Sequence, residues 1–96
     1  MTFKSLPPAT RAEVYAAVDG EREYQRKWEN PDLTDSGGRH SNVEFLAYIQ
    51  DYTTEALHVA TRKPDPEARV FCTHALRKIA AMAVAALEQN GVLSRG

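Results

Sequence analysis

The polar side chains best suited to ligand binding recur at intervals of three and four residues in two stretches of the chain. The first stretch contains Asp51, Thr54, Glu55, His58 and Arg62, and the second contains His74, Arg77 and Lys78. On a helix, residues at this spacing lie on one face. Two such rows facing each other would form a pocket with an acidic and a basic wall, which suits an anionic ligand. The alternative is a pair of exposed helix faces whose charges pair with each other.

Glu55 and His58 have the E-x-x-H spacing of carboxylate-bridged metal sites in four-helix bundles. Those sites repeat the pattern on a second helix, whereas this chain contains it once. Asp51 and His74 could complete a metal site as further ligands. Because the E-x-x-H pattern occurs only once, however, we expect no bound metal. A Cys-His hydrolase is not favoured either, because Cys72 and His74 are two residues apart and point in different directions on a helix.

Composition and charge indicate one small domain without a strongly charged partner. The 96 residues leave room for a single core, so we expect one domain over residues 1–96. Twelve Lys and Arg against thirteen Asp and Glu give a net charge of −1, so general nucleic-acid binding is not expected. The only cysteine, Cys72, is expected to fill a buried position in a reduced cytoplasmic protein.

A membrane partner is not expected from the sequence. The first residues lack the apolar core of a signal peptide, and no later segment approaches the roughly 18 apolar residues that a membrane span needs. We therefore expect a cytoplasmic protein.

Start and stop signals divide the chain into three helices and predict an all-α fold. Thr10 with Glu13, and Ser41 with Glu44, have the spacing of capping boxes. We expect Asp65 to cap the third helix and Asn90–Gly91 to end it. The predicted helices cover about residues 8–28, 42–61 and 66–90, with a loop over residues 29–41.

The apolar residues predict how these helices pack. In the first helix they are Val14, Ala17, Val18, Tyr24 and Trp28, at helical spacing. The second and third helices carry apolar faces wider than one partner helix would cover, and the third is rich in alanine, which lets helix axes approach closely. We therefore expect a three-helix amphipathic bundle completed by self-association into a dimer or larger homo-oligomer. Trp28 is also suited to stacking on a base, although its spacing favours core packing.

Several short segments occur in the same order as in a known protein family. They are Tyr24–Trp28, a loop ending in His40, Phe45–Ala47 and Ile79–Glu88. In this order the chain resembles the small phage-type branch of the MazG-like all-α nucleotide pyrophosphohydrolases. Members of that superfamily pair helices into an oligomeric bundle and bind Mg²⁺ through four carboxylates, E-x-x-E on one helix and E-x-x-D on the next, to split a nucleoside triphosphate. The resemblance implies such a helical fold.

The metal-binding pattern of that family is largely missing from this chain. It falls on Asp51 and Thr54 in the second helix and on Ala75 and Lys78 in the third. Glu55 would replace one carboxylate after a shift of one residue. Ala75, however, offers no ligand, and Lys78 adds positive charge where Mg²⁺ needs oxygen ligands. The resemblance thus implies the fold and argues against the activity.

The sequence therefore predicts a non-catalytic or weakly catalytic helical protein, without a cofactor, that binds a nucleotide-derived anionic small molecule. The candidate ligand-binding residues are Trp28, Asp51, Glu55, His58, Arg62, His74, Arg77 and Lys78. One alternative is an oligomeric protein-binding module that inhibits or scaffolds a host protein. The other is a Mg²⁺-dependent nucleoside triphosphate pyrophosphohydrolase that uses Asp51 and Glu55 with acidic groups from a neighbouring subunit.

Overall fold

Capping boxes fix where the first two helices begin. The computed structural model describes residues 7–27 and 39–95, and its first two helices are α1 (Arg11–Arg26) and α2 (Asn42–Thr61). The Thr10 hydroxyl accepts the backbone N–H of Glu13, and the Glu13 carboxylate accepts the backbone N–H of Thr10. Ser41 and Glu44 form the same pair of hydrogen bonds. Each box satisfies two backbone donors at a helix start, so both predicted starting signals are confirmed.

The bounds of α2 agree with the prediction, whereas α1 is shorter than the predicted residues 8–28. Trp28 and residues 29–38 of the predicted loop lie outside the described residues. The predicted base-stacking role of Trp28 therefore remains a prediction.

The third helix, α3 (Glu67–Asn90), begins differently from the prediction. Its N-cap is Pro66, which makes no side-chain cap hydrogen bond, so the assignment of Asp65 as the cap was wrong. The Asp65 carboxylate instead accepts a hydrogen bond from Nη2 of Arg69 at 3.2 Å, one turn further along. At the other end Gly91, with φ of +89°, stops the helix as predicted.

The central helix of the bundle is α3. Both α1 and α2 pack against it, and within the described ranges they do not pack against each other. At about 100° per residue, Arg77 and Ala81 lie toward α1 and Ala86 lies toward α2. The remaining third of the circumference carries Leu76, Ala80, Ala83 and Leu87. Two sides of α3 are packed, and the third is apolar between Leu76 and Leu87, which accounts for the wide apolar face of this helix.

The core of one chain is made mainly of alanine. Among the described residues the buried apolar side chains are Phe45, Ala75, Ala81, Ala85 and Ala86. Phe45 of α2 packs with Ala85 and Ala86 of α3, and Ala81 is fully enclosed. These small side chains allow the close helix contact that the sequence predicted. No large side chain in the described ranges is fully buried.

Several predicted core positions are wrong. Val14 and Tyr24 of α1 are exposed, and the buried residue of that helix is Arg22. Cys72, expected as a buried filler, is also exposed. Helical spacing identifies the apolar side of a helix but not whether another helix covers it, and α3 covers only part of α1.

The length and apolar character of α3 also satisfy a simple criterion for a membrane span, contrary to the expectation from the sequence. Among the described residues it is the one helix with such a window, whose mean hydropathy is 1.5 over 18 residues. This is weak evidence, because the central helix of a helical bundle meets the same criterion. Arg77 lies in the middle of α3 and pairs with Glu21 of α1, as expected for a helix packed against other helices.

Candidate functional site

The polar row of α2 faces solvent. Asp51, Glu55, His58 and Arg62 are all exposed. At about 100° per residue they lie on the side of α2 opposite Leu46 and Leu57. In the described part of the chain, no hydrogen bond or ion pair joins these four side chains to α3. The row is therefore a solvated helix face within one chain.

One side chain of the polar row of α3, that of Arg77, contacts α1. Nε of Arg77 donates to Oε1 of Glu21 at 2.8 Å, and a guanidinium nitrogen of Arg77 lies 2.7 Å from Nδ1 of His74. Lys78 is exposed, and its backbone carbonyl accepts a hydrogen bond from the side chain of Gln25. One chain thus brings His74, Arg77 and Lys78 together, but not with the row of α2.

The contact between α1 and α3 contains a second ion pair, which sequence reasoning missed. The buried guanidinium of Arg22 donates from Nε to Oε1 of Glu88. Glu21 contacts α3 on the N-terminal side of Ala81, and Arg22 contacts it on the C-terminal side. The helix α1 therefore crosses α3 above Ala81. The two residues of each ion pair are 56 and 66 positions apart in the chain, so no local sequence pattern indicates that they pair.

The residues present do not fit a magnesium site of the MazG type. Ala75, at one of the four carboxylate positions, is buried in the helix contact and has no oxygen ligand. Lys78, at another, carries a positive charge. Within the described residues no three His, Cys, Asp or Glu side chains are grouped as metal ligands. Asp51 and Glu55 supply at most two of the four carboxylates of that pattern.

A shallow depression of about 370 Å³ lies where α2 leads into α3. Its lining residues are Lys63, Pro66, Glu67, Val70, Phe71 and His74. Nζ of Lys63 lies 5.6 Å from the centroid of the Phe71 ring, within the range of a cation–π contact. Of the predicted site residues, His74 is the one that borders this depression. The apolar floor is bordered by one cation, Lys63, and one carboxylate, Glu67.

An apolar groove of about 330 Å³ runs between the N-terminal half of α2 and the C-terminal half of α3. Asn42 is the single polar residue among its lining side chains, which are otherwise Phe45, Leu46, Ile49, Ala83, Ala86 and Leu87. Leu46 is 67% exposed and Leu87 is 46% exposed, although both border the groove. The groove is therefore an open apolar surface rather than a filled core.

The same surface continues toward the other end of both helices. Leu57 of α2 is 59% exposed and Leu76 of α3 is 67% exposed. Each lies 11 residues, or about three turns, from Leu46 or Leu87 on its own helix, so each pair occupies one side of that helix. We call Leu46, Leu57, Leu76 and Leu87 the leucine face. An exposed apolar area of this kind marks a site of interaction with another polypeptide or with a membrane.

A polar junction joins the start of α2 to the end of α3. The backbone N–H of His40 donates to the side chain of Gln89 at 2.9 Å, and Asn90 donates to the His40 carbonyl at 2.9 Å. The His40 ring stands edge-on against Phe45, with 5.9 Å between ring centroids. Hydrogen bonds from the Ser41 backbone and then from the His40 ring lower the pKa of Glu44 below its ordinary value of 4.5.

Comparisons with protein-family models, with curated proteins and with solved structures found no match for this chain. The MazG-like resemblance therefore stays a prediction, as do the nucleotide-binding and phage assignments. The helical-bundle fold stands on the structure alone.

Proposed function

We propose that this chain is a non-enzymatic helical module that binds another polypeptide through its leucine face. The observation that supports the proposal is the position of the large apolar side chains. Leu46, Leu57, Leu76 and Leu87 lie in solvent, while the packed contacts use alanine. Burying a leucine contributes about 1.5 to 3 kcal/mol, so covering this face is a strong driving force for association.

Catalysis has less support from the arrangement of polar groups. The acidic row of α2 points into solvent, Arg77 of α3 is engaged with α1, and Lys78 is exposed. General acid–base or metal chemistry needs such groups to converge on one reacting atom. A protein-binding role needs no such convergence.

The test compares the wild-type chain with a Leu46→Glu, Leu87→Glu double variant and with Leu93→Glu as the matched control. Leu93 is 96% exposed and lies beyond α3. We expect the leucine face of the wild type either to be covered by another chain or to bind an apolar fluorescent dye. The double variant should lose both properties, and the control should keep them. Near-ultraviolet circular dichroism checks that dye binding does not come from a loosely packed state.

A monomeric wild type whose dye fluorescence is the same as that of the double variant would contradict the proposal. In that case the leucine face would be neither covered nor available to a partner.

A nucleotide-derived anion is a second candidate ligand, favoured by the depression beside Phe71. Lys63 and His74 border it, and Arg77 lies next to His74. Calorimetry against nucleotides and cyclic dinucleotides tests this function. We expect Lys63→Ala and His74→Gln to weaken binding and Asp51→Asn to leave it unchanged, because Asp51 lies away from the depression. Absence of binding by both ligand classes would exclude this function.

A further inference from the structure

We propose that the partner on the leucine face is a second copy of this chain, placed antiparallel to the first across a two-fold axis. The inference rests on the proposed function and names its partner. Three observations support it: the surface of the single chain, the symmetry of the exposed stripe on α3, and the absence of charge within that stripe.

One chain leaves large apolar side chains of α2 and α3 uncovered. Leu46 and Leu76 are each 67% exposed, Leu57 is 59% exposed and Leu87 is 46% exposed. Obligate dimers bury apolar side chains of this kind in interfaces of about 1,000 to 2,500 Å² per protomer.

The exposed stripe of α3 is symmetric about its own midpoint. Leu76 and Leu87 lie at its ends and Ala80 and Ala83 lie inside them, all centred on the bond between Ala81 and Met82. Two antiparallel copies would therefore place each Leu76 against Leu87 of the other copy, and each Ala80 against Ala83. A two-fold interface needs such a self-complementary surface.

The small residues inside the stripe allow two α3 helices to approach closely, and the leucines at its ends then flank the contact. Leu46 and Leu57 of α2 extend the apolar area on the same side. In this arrangement α2 and α3 of both copies form a four-helix core, with the two α1 helices outside it.

Charge does not oppose this pairing. The side of α2 that carries Leu46 and Leu57 has Thr53 between them, and the stripe of α3 has alanine between its leucines. The charged side chains Arg77 and Glu88 face α1 instead. Two copies therefore meet without placing like charges opposite each other, which would be unfavourable.

The first experiment measures molar mass by light scattering after size-exclusion chromatography. We expect the wild type to have twice the chain mass of 10.7 kDa. Leu76→Glu should reduce the mass to that of one chain, and Leu93→Glu should leave it unchanged. Glutamate is a good helix former, so the substitution does not itself break α3. A monomeric wild type, or a Leu76→Glu variant that stays dimeric, overturns the inference.

The second experiment fixes the orientation and does not depend on a destabilising variant. Ala80→Cys and Ala83→Cys are made separately in a Cys72→Ser background, and one of the two variants is labelled with ¹⁵N. The two variants are mixed and denatured. They are then refolded together and oxidised. Mass spectrometry measures the fraction of disulfide-linked dimers that contain one chain of each variant. The antiparallel pairing predicts that this fraction exceeds the value expected from random pairing of the two chains. Self-linking of Ala80→Cys to the same extent indicates a parallel pair and overturns the inference.

These outcomes also separate the inference from the proposed function. Suppose the wild type is monomeric and binds the apolar dye, while the Leu46→Glu, Leu87→Glu variant does not bind it. This result would reject a second copy as the partner but keep the leucine face as a binding site for a different polypeptide. A monomer whose dye binding does not depend on those leucines rejects both.

Discussion

Arg77 of α3 donates a hydrogen bond from Nε to Oε1 of Glu21 in α1 across 2.8 Å. The Glu21 side chain is only 9% exposed, so this ion pair is shielded by the helix contact that it joins. The contact also determines which way the cationic row of α3 faces. Because Arg77 is directed toward α1, the row cannot face the acidic row of α2 within the same chain.

Glu21→Gln should lower the free energy of unfolding by about 1 to 3 kcal/mol, because it removes the charge of a shielded carboxylate that accepts a hydrogen bond from Arg77. The matched control is Glu23→Gln, whose pair with Arg26 is exposed on both sides. Exposed pairs contribute little, so the control should change the free energy by less than about 1 kcal/mol. Urea denaturation measures both. Equal effects of the two substitutions would show that the Glu21 pair is not shielded in solution.

Gly91 and Gly20 should respond to alanine with opposite signs. Gly91 has φ of +89° and ψ of +166°, a region that side chains rarely adopt, so Gly91→Ala should destabilise the chain by about 1 to 3 kcal/mol. Gly20 lies inside α1, and an added Cβ there meets no atom within 4 Å. Gly20→Ala should therefore stabilise the chain by about 0.5 to 1 kcal/mol. The melting temperatures of the two variants test this prediction. A shift of both melting temperatures in the same direction would contradict the backbone conformations described for the two glycines.

Ala81→Leu should weaken the crossing of α1 over α3. The Ala81 side chain is fully enclosed, so a larger residue must displace α1, at a cost of about 1 to 3 kcal/mol. Ala47→Leu is the control, because Ala47 is exposed on α2 and leucine is nearly as good a helix former. Urea denaturation compares them. If Ala81→Leu is tolerated as well as the control, α1 does not pack tightly over this position.

Acid should weaken the two capping boxes. The pKa of Glu13 is lowered by the backbone N–H of Thr10, and the pKa of Glu44 is lowered by that of Ser41. A carboxylate whose pKa is lower in the folded state contributes stability above its unfolded pKa, and this contribution disappears as the pH falls through the folded value. We therefore expect the free energy of unfolding to fall from about pH 4.5 downward.

The combined Glu13→Gln, Glu44→Gln variant should show a smaller decrease over the same acid range, with Glu55→Gln as the control for an exposed helix position. Urea denaturation at a series of pH values provides the comparison. A decrease of the same size in the double variant would assign the acid sensitivity to other groups.

The helices themselves could be predicted because their signals are local. Thr10 and Glu13, like Ser41 and Glu44, are three residues apart and meet as soon as one turn of helix forms. Gly91 ends α3 through its own backbone freedom. These features depend on neighbours within a few residues, so the local sequence determines them. Asp65 was misassigned because its carboxylate has a competing partner, Arg69, one turn away.

The candidate site depended on contacts that the sequence does not display. Asp51, Glu55, His58 and Arg62 were correctly placed in one row, since helical spacing fixes which residues share a face. The partner of each row is fixed by how the helices dock, and docking brought Glu21 to Arg77 and Arg22 to Glu88 across 56 and 66 residues.

The sequence by itself determined three amphipathic helices, their caps and the alanine-rich character of α3, because each follows from interactions within a turn or from helical periodicity. Only the tertiary structure decided that α3 lies between the other two helices, that its Arg77 faces α1, and that Leu46, Leu57, Leu76 and Leu87 remain uncovered. The physical reason is that periodicity gives the direction in which a side chain points along its own helix. What it meets there depends on the packing of segments distant in the chain.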